Sequence, residues 1–140
     1  METKFNFNSQ VCTSKAQSER LLALGLKKET ADMCLGHTPV GWIEDGEMIT
    51  ELKPRAFIAT SPTEIPAWSL HCLLAMMPKN IAIDGDTAYP LQIQKRSDGK
   101  WCVGYQGWYD CVGDLYDSVI WIYQLLISEG YIDEEFCNKG

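Results

Sequence analysis

The run Ile65-Pro66-Ala67-Trp68-Ser69-Leu70-His71-Cys72-Leu73-Leu74-Ala75-Met76-Met77, closed by Pro78, limits the fold more than any other stretch. It lies mid-chain and is apolar almost all the way round. Pro66 suits the first turn of a helix, where a missing N–H costs nothing, and Thr63 or Ser61 is placed to cap it. At about 100° per residue, Leu70, Leu73, Leu74 and Met77 share one face while Trp68, Cys72 and Ala75 share the other. A helix with two apolar faces needs cover on both. Residues 66–77 are therefore expected to form the central core helix.

A chain of 140 residues is expected to fold as one domain, residues 1–140, large enough to bury a core without staples. Twelve basic residues against nineteen acidic ones leave a net charge of −7. Such an acidic surface opposes binding to phosphate backbones and anionic membranes, so nucleic acid is disfavoured as a partner. The opening Met1-Glu2-Thr3-Lys4-Phe5-Asn6 lacks a basic segment followed by an apolar run, and no export signal is expected. No apolar stretch approaches the ~20 residues that span a bilayer. The expected location is cytoplasmic, where Cys12, Cys34, Cys72, Cys102, Cys111 and Cys137 would stay as thiols without disulfides.

Along the chain, Lys4-Phe5-Asn6-Phe7-Asn8 alternates as a short strand does. Ser14-Lys15-Ala16-Gln17 matches a capping box, opening a helix that stops at Gly25. A second helix is expected from about Lys28 to Leu35, ending at Gly36. The stretch from His37 to Thr63 is turn-rich, with an acidic turn at Glu44-Asp45-Gly46-Glu47. Strands are expected at Met48–Leu52 and Arg55–Ala59, and Pro54 demotes whichever contains it to an edge or bulge. Tyr89 to Trp108 carries the clearest β signal, two alternating runs joined at Ser97-Asp98-Gly99. Asp114 to Ser128 reads as a strong helix with acid in its first turn. The fold class expected is α+β: a small antiparallel sheet with a hairpin at about 89–108, packed by helices at 66–77 and 114–128.

Five tryptophans and six tyrosines are many for this length, and amphipathic aromatics are enriched at partner surfaces. Trp121 falls within the polar stripe of the last helix, among Asp114, Asp117, Ser118, Gln124 and Ser128. A tryptophan so placed has the composition of a recognition hot spot, unless another segment covers it. Cys34-Leu35-Gly36-His37 has the spacing of half a zinc site, with His71-Cys72 as the other half. Neighbours on a helix point about 100° apart and no C-x-x-C occurs, so no metal and no cofactor are expected. The same divergence stops His71 from activating Cys72; a thiol nucleophile would need a distant base such as His37. Residues 14–35 have the outline of a helix-turn-helix, with Lys27 and Lys28 placed to touch phosphate, but Glu29 and Asp32 oppose it.

The string Gln17-Ser18-Glu19-Arg20-Leu21-Leu22-Ala23-Leu24-Gly25-Leu26, with Glu29-Thr30-Ala31-Asp32-Met33, resembles small proteins of prophages and mobile elements in gut anaerobes. Ile65-Pro66-Ala67-Trp68-Ser69-Leu70 and Leu125-Leu126-Ile127-Ser128-Glu129-Gly130-Tyr131-Ile132 resemble the same group. The strings cover about a third of the chain, and residues 38–60 depart from the pattern. That group has no catalytic motif to carry over, and the resemblance implies a phage-type accessory role. The expectation is a non-enzymatic adaptor that binds another protein through Trp121, Trp42, Glu44, Asp45 and Glu47. A helix-turn-helix DNA regulator and a cysteine/histidine-dependent hydrolase are the alternatives, and self-association stays open.

Overall fold

The computed structural model describes residues 10–42, 46–55, 64–82, 87–106 and 108–138. The strand expected at Lys4–Asn8 and the end of the one expected at Arg55–Ala59 lie outside them. In chain order the regular elements are α1 (Lys15–Ala23), β1 (Met33–Trp42), β2 (Met48–Arg55), β3 (Ile65–Ala67) and α2 (Leu70–Met76). They continue with β4 (Asn80–Ile81), β5 (Tyr89–Pro90), β6 (Gln92–Lys95), β7 (Trp101–Tyr105), β8 (Trp108–Gly113) and α3 (Leu115–Ser128). The class is α+β, with antiparallel sheets beside helices. Among the described residues no helix is long and apolar enough to cross a membrane.

Helix α1 opens as its capping box requires. Ser14 Oγ accepts from the Gln17 N–H at 3.2 Å, and Gln17 Oε1 accepts from the Ser14 N–H at 3.0 Å. It closes with the Gly25 N–H bonded to Leu22 O and the Leu26 N–H to Leu21 O, the pair of bonds that satisfies a helix's last carbonyls. Gln17 then reaches Asp117 Oδ1 at 2.8 Å, tying α1 to the start of α3.

The helix expected over 28–35 does not form. Lys28–Thr30 is one turn of 3-10 helix, Ala31 is extended, and β1 begins at Met33. The stretch is too short for its own periodicity to hold a helix. Pairing decides instead, because β1 is bonded by β2 along one edge and by β3 at its root. The helix-turn-helix reading of 14–35 thereby loses its recognition helix.

The mid-chain apolar run also differs from expectation. Pro66 lies in β3, opposite Cys34, on an edge strand where its missing N–H breaks no ladder bond. Helix α2 starts only at Leu70, capped by Ser69, whose Oγ accepts from the Cys72 N–H at 3.1 Å. It is not sandwiched: Leu73 is fully buried, but His71 and Ala75 face solvent. Trp68, just ahead of it, is the buried anchor. Its backbone exchanges hydrogen bonds with Thr13, and its indole N–H donates to Thr30 Oγ1 at 2.9 Å. Asp32 holds the neighbouring Ser69 through both N–H and Oγ, at 2.8 and 2.5 Å.

The central position belongs to α3. Asp114 caps it, accepting from the Asp117 N–H at 3.2 Å. Tyr116, Val119, Ile120, Ile122, Tyr123 and Leu126 are buried, and the helix packs on β7 and β8. Each fully buried aliphatic side chain contributes roughly 1.5–3 kcal/mol, so this face outweighs the single fully buried residue within α2. The Tyr123 hydroxyl bonds Leu73 O, and Ser118 Oγ donates to Trp101 O at 2.9 Å, so the polar groups on that face are paired.

The hairpin expected at 89–108 is present as β6 and β7, and β8 extends it to a three-stranded antiparallel sheet in the order β6-β7-β8. Its first turn is bonded from the Arg96 N–H to Lys100 O at 2.7 Å, with Gly99 at φ +88°. The expectation of no disulfide is overturned: Cys102 and Cys111 are bonded across β7 and β8, Cα–Cα 4.1 Å. Compartment alone says nothing of proximity, whereas the register brings these two strands together at an irregularity of the β7–β8 ladder.

Candidate functional site

Strands β1 and β2 form a long two-stranded ribbon, paired from Cys34↔Arg55 to Trp42↔Met48. Strand β3 covers only its root, Met33 to Leu35. Side chains alternate along a strand and cross-strand partners share a face, so Met48, Thr50, Leu52 and Pro54 lie together with Leu35, His37 and Trp42. The irregularity between Pro39 and Gly41 carries one extra residue and restores Trp42 to this face. The opposite face carries Ile49, Glu51, Lys53 and Arg55, with Lys53 Nζ 3.1 Å from Glu51. The ribbon is thus amphipathic. The root of its apolar face packs Leu35 and Leu52 near Cys12 and borders an open groove of about 390 Å³ lined partly by Val11, Cys12 and Pro54.

At the far end apolar surface is presented to water. Trp42 is 72% exposed and Met48 opposite it 49%, and Ile49, on the other face, is 43% exposed. Of the residues expected to bind a partner, Trp42 and Glu47 therefore lie at this end, Glu47 being next to Met48 in sequence. Glu44 and Asp45 lie outside the described residues. Trp121 sits on α3, an element of the other three-stranded sheet's layer, and is half-buried against the margin of the main core. Its indole borders a shallow groove of about 210 Å³ with Gln124, Leu125 and Ser128. Met48–Leu52 reads as a strand in the sequence, but its register against β1, and with it the pairing of Trp42 with Met48, depends on residues too far apart to be read there.

The thiols are arranged for structure. Burial, then the Asp32 carboxylate, pushes the Cys72 thiol up to about 11, and its Sγ donates to Thr30 O at 3.2 Å. Burial, then Asp32 and Cys34, raises Cys12; burial also raises Cys137 against the opposing pull of Lys27. A nucleophilic cysteine needs the opposite shift. His37 Nδ1 lies 3.4 Å from Thr50 Oγ1 on the ribbon. Cys34 and His37, three residues apart on a strand, face opposite sides, so the C-x-x-H spacing does not converge on one point. Cys34 is fully buried, with Sγ donating to Glu64 Oε2 at 3.0 Å. No group of three or more metal-ligating side chains occurs among the described residues.

No protein-family profile, curated protein or solved structure matches the chain.

Proposed function

We propose that the chain is a non-enzymatic accessory or adaptor protein, of the prophage or mobile-element type, that binds another protein through the end of the β1–β2 ribbon. The observation that carries this reading is Trp42, 72% exposed, facing Met48, 49% exposed, on the last rung. Large apolar side chains gathered in water are costly for the free protein and supply contact area to a bound one, and tryptophan is the commonest hot-spot residue. The acids that lie between the two strands in sequence, Glu44, Asp45 and Glu47, favour a partner with a basic rim around an apolar pocket. Trp121 is the second contact in this proposal.

The strings that resemble mobile-element proteins support the same division of labour. Glu29–Met33 and Ile65–Leu70 are bonded to each other through Thr30, Asp32, Trp68 and Ser69. The ribbon is built largely from residues 38–60, where the resemblance stops. The frame holds the ribbon, and the ribbon selects the partner.

The test is site-specific photocrosslinking in the native host with the reactive group at position 42, and at exposed Glu19 on α1 as control. A discrete adduct at position 42 that disappears in a folded Met48→Ala variant supports the reading. Equal adducts at both positions, or an adduct indifferent to that change, refutes it. The Cys102–Cys111 bond weighs against the expected cytoplasmic location. Alkylating intact cells before lysis tests the point: a reduced pair in untreated cells supports the cytoplasm, a bridged pair an oxidising compartment.

A further inference from the structure

The outer face of the β6-β7-β8 sheet carries a depression of about 230 Å³, lined by Gln92, Gln94, Cys102, Gly104, Tyr105, Gln106 and Tyr109. Its origin is one missing side chain. Gln92, Gly104 and Tyr109 occupy a single rung, since Gly104 pairs with Gln92 on one side and with Tyr109 on the other. A Cβ at Gly104 would stand 2.1 Å from Trp108 O and 2.7 Å from Tyr109 Cα, so the close approach of β8 requires glycine here and no side chain projects from the middle of the rung. Two strand spacings separate its ends by roughly 10 Å, which leaves a slot between the Gln92 and Tyr109 side chains. The next rung adds Gln94 beside Cys102, whose bond to Cys111 holds β7 and β8 together below.

We infer that this slot binds a neutral pyranose, one sugar residue of a glycan, with the ring lying against Tyr109. Three features select that chemistry. Among the described residues the lining holds no carboxylate, ammonium or guanidinium, so a charged ligand entering it would lose water without gaining a counter-charge from them. Gln92, Gln94 and Gln106 each present donors and an acceptor, which matches hydroxyls that both give and take hydrogen bonds. Gln92 and Gln94 share a face about 7 Å apart along the strand, so their amides reach different hydroxyls of the same ring. Tyr109 is 62% exposed, and the negative face of its ring suits the C–H groups on one side of a pyranose. A peptide laid over this face would find the β7 backbone already spent in two ladders. The volume is below that of drug-sized ligand pockets and fits a single ring, with further residues of a glycan leaving through the open side.

The inference is independent of the ribbon and stands or falls separately from the adaptor reading. The experiment is an NMR titration of the isotope-labelled full chain with methyl α-D-glucopyranoside, methyl β-D-galactopyranoside and N-acetylglucosamine, each to about 50 mM, with glucuronate and capped tetra-alanine as comparisons. The expected result is saturable shifts, for at least one neutral sugar, at Gly104, Tyr109 and the side-chain amides of Gln92 and Gln94. Affinity should fall at least tenfold in Gln92→Ala and persist in Tyr109→Phe, which keeps the ring face. Tyr109→Ala should also abolish binding; if that variant fails to fold, the exposed edge-strand variant Gln92→Ala carries the decision. No saturable shift with any of the three sugars overturns the inference. So does saturation elsewhere on the protein, binding indifferent to Gln92→Ala, or a response to tetra-alanine alone.

Discussion

Gly104→Ala is the sharpest perturbation the structure offers, because two separate costs add at one atom. Gly104 sits at φ +154°, a backbone region costing an L-residue roughly 1–2 kcal/mol. The added methyl would then lie 2.1 Å from Trp108 O and 2.7 Å from Tyr109 Cα, against an ordinary separation of about 3.5 Å. Both neighbours are backbone, so no rotamer change relieves the overlap, and the Cys102–Cys111 bond resists parting of the strands. Overpacking of this kind costs about 1–3 kcal/mol. The total is about 2–5 kcal/mol, a fall in Tm of roughly 6–15 °C for a chain of this length. Gly99→Ala isolates the first cost: φ is +88° but nothing lies within 4 Å of its Cβ, so roughly 1–2 kcal/mol is expected. Gly41→Ala, with ordinary φ and open space, should be nearly neutral. Thermal and urea unfolding by circular dichroism on the three variants reads the series directly. Gly104→Ala melting no lower than Gly99→Ala would refute the steric argument.

Replacing Cys102 and Cys111 by serine opens a loop of about ten residues and should cost about 2–3 kcal/mol by the chain-entropy relation, measured as a lower urea midpoint. Thr13→Val should cost about 1–3 kcal/mol, because the buried Trp68 N–H loses its side-chain acceptor; equilibrium unfolding checks this. Alkaline pH should loosen the fold. Cys72 is raised from 9.0 to about 11 and Tyr105 from 10.0 to about 12, so the folded state keeps protons that the unfolded chain releases. The stability this confers is complete below pH 9 and is lost as pH climbs through 11 to 12, visible as a falling Tm across that window. For the same reason Cys72 should resist iodoacetamide at pH 7.5 in the native protein, as mass spectrometry of quenched samples will show.

What could be read from residues alone were the features written in short range. The capping box Ser14–Gln17, the wrapped helix ends at Gly25 and Gly130, and the turn at Gly99 each depend on groups within six positions of one another. Fourteen residues of consistent helical period were enough to orient α3, tyrosines inward. Trp42 could be singled out because a tryptophan in a turn-rich, acidic stretch has little of its own neighbourhood to hide in. The outcome for residues 28–35 and 65–69 rested on partners tens of positions away. Met33 is a strand residue because Ala67 pairs with it, and Pro66 is one because Cys34 does. Which of two apolar helices becomes central is likewise a tertiary matter: α3 wins by burying a long face on β7 and β8, and α2 is left at the margin. The rung that joins Gln92, Gly104 and Tyr109, and the bond between Cys102 and Cys111, exist only once three strands are in register. Local hydrogen bonding is encoded residue by residue, whereas strand pairing is a choice among distant alternatives that only the collapsed chain resolves.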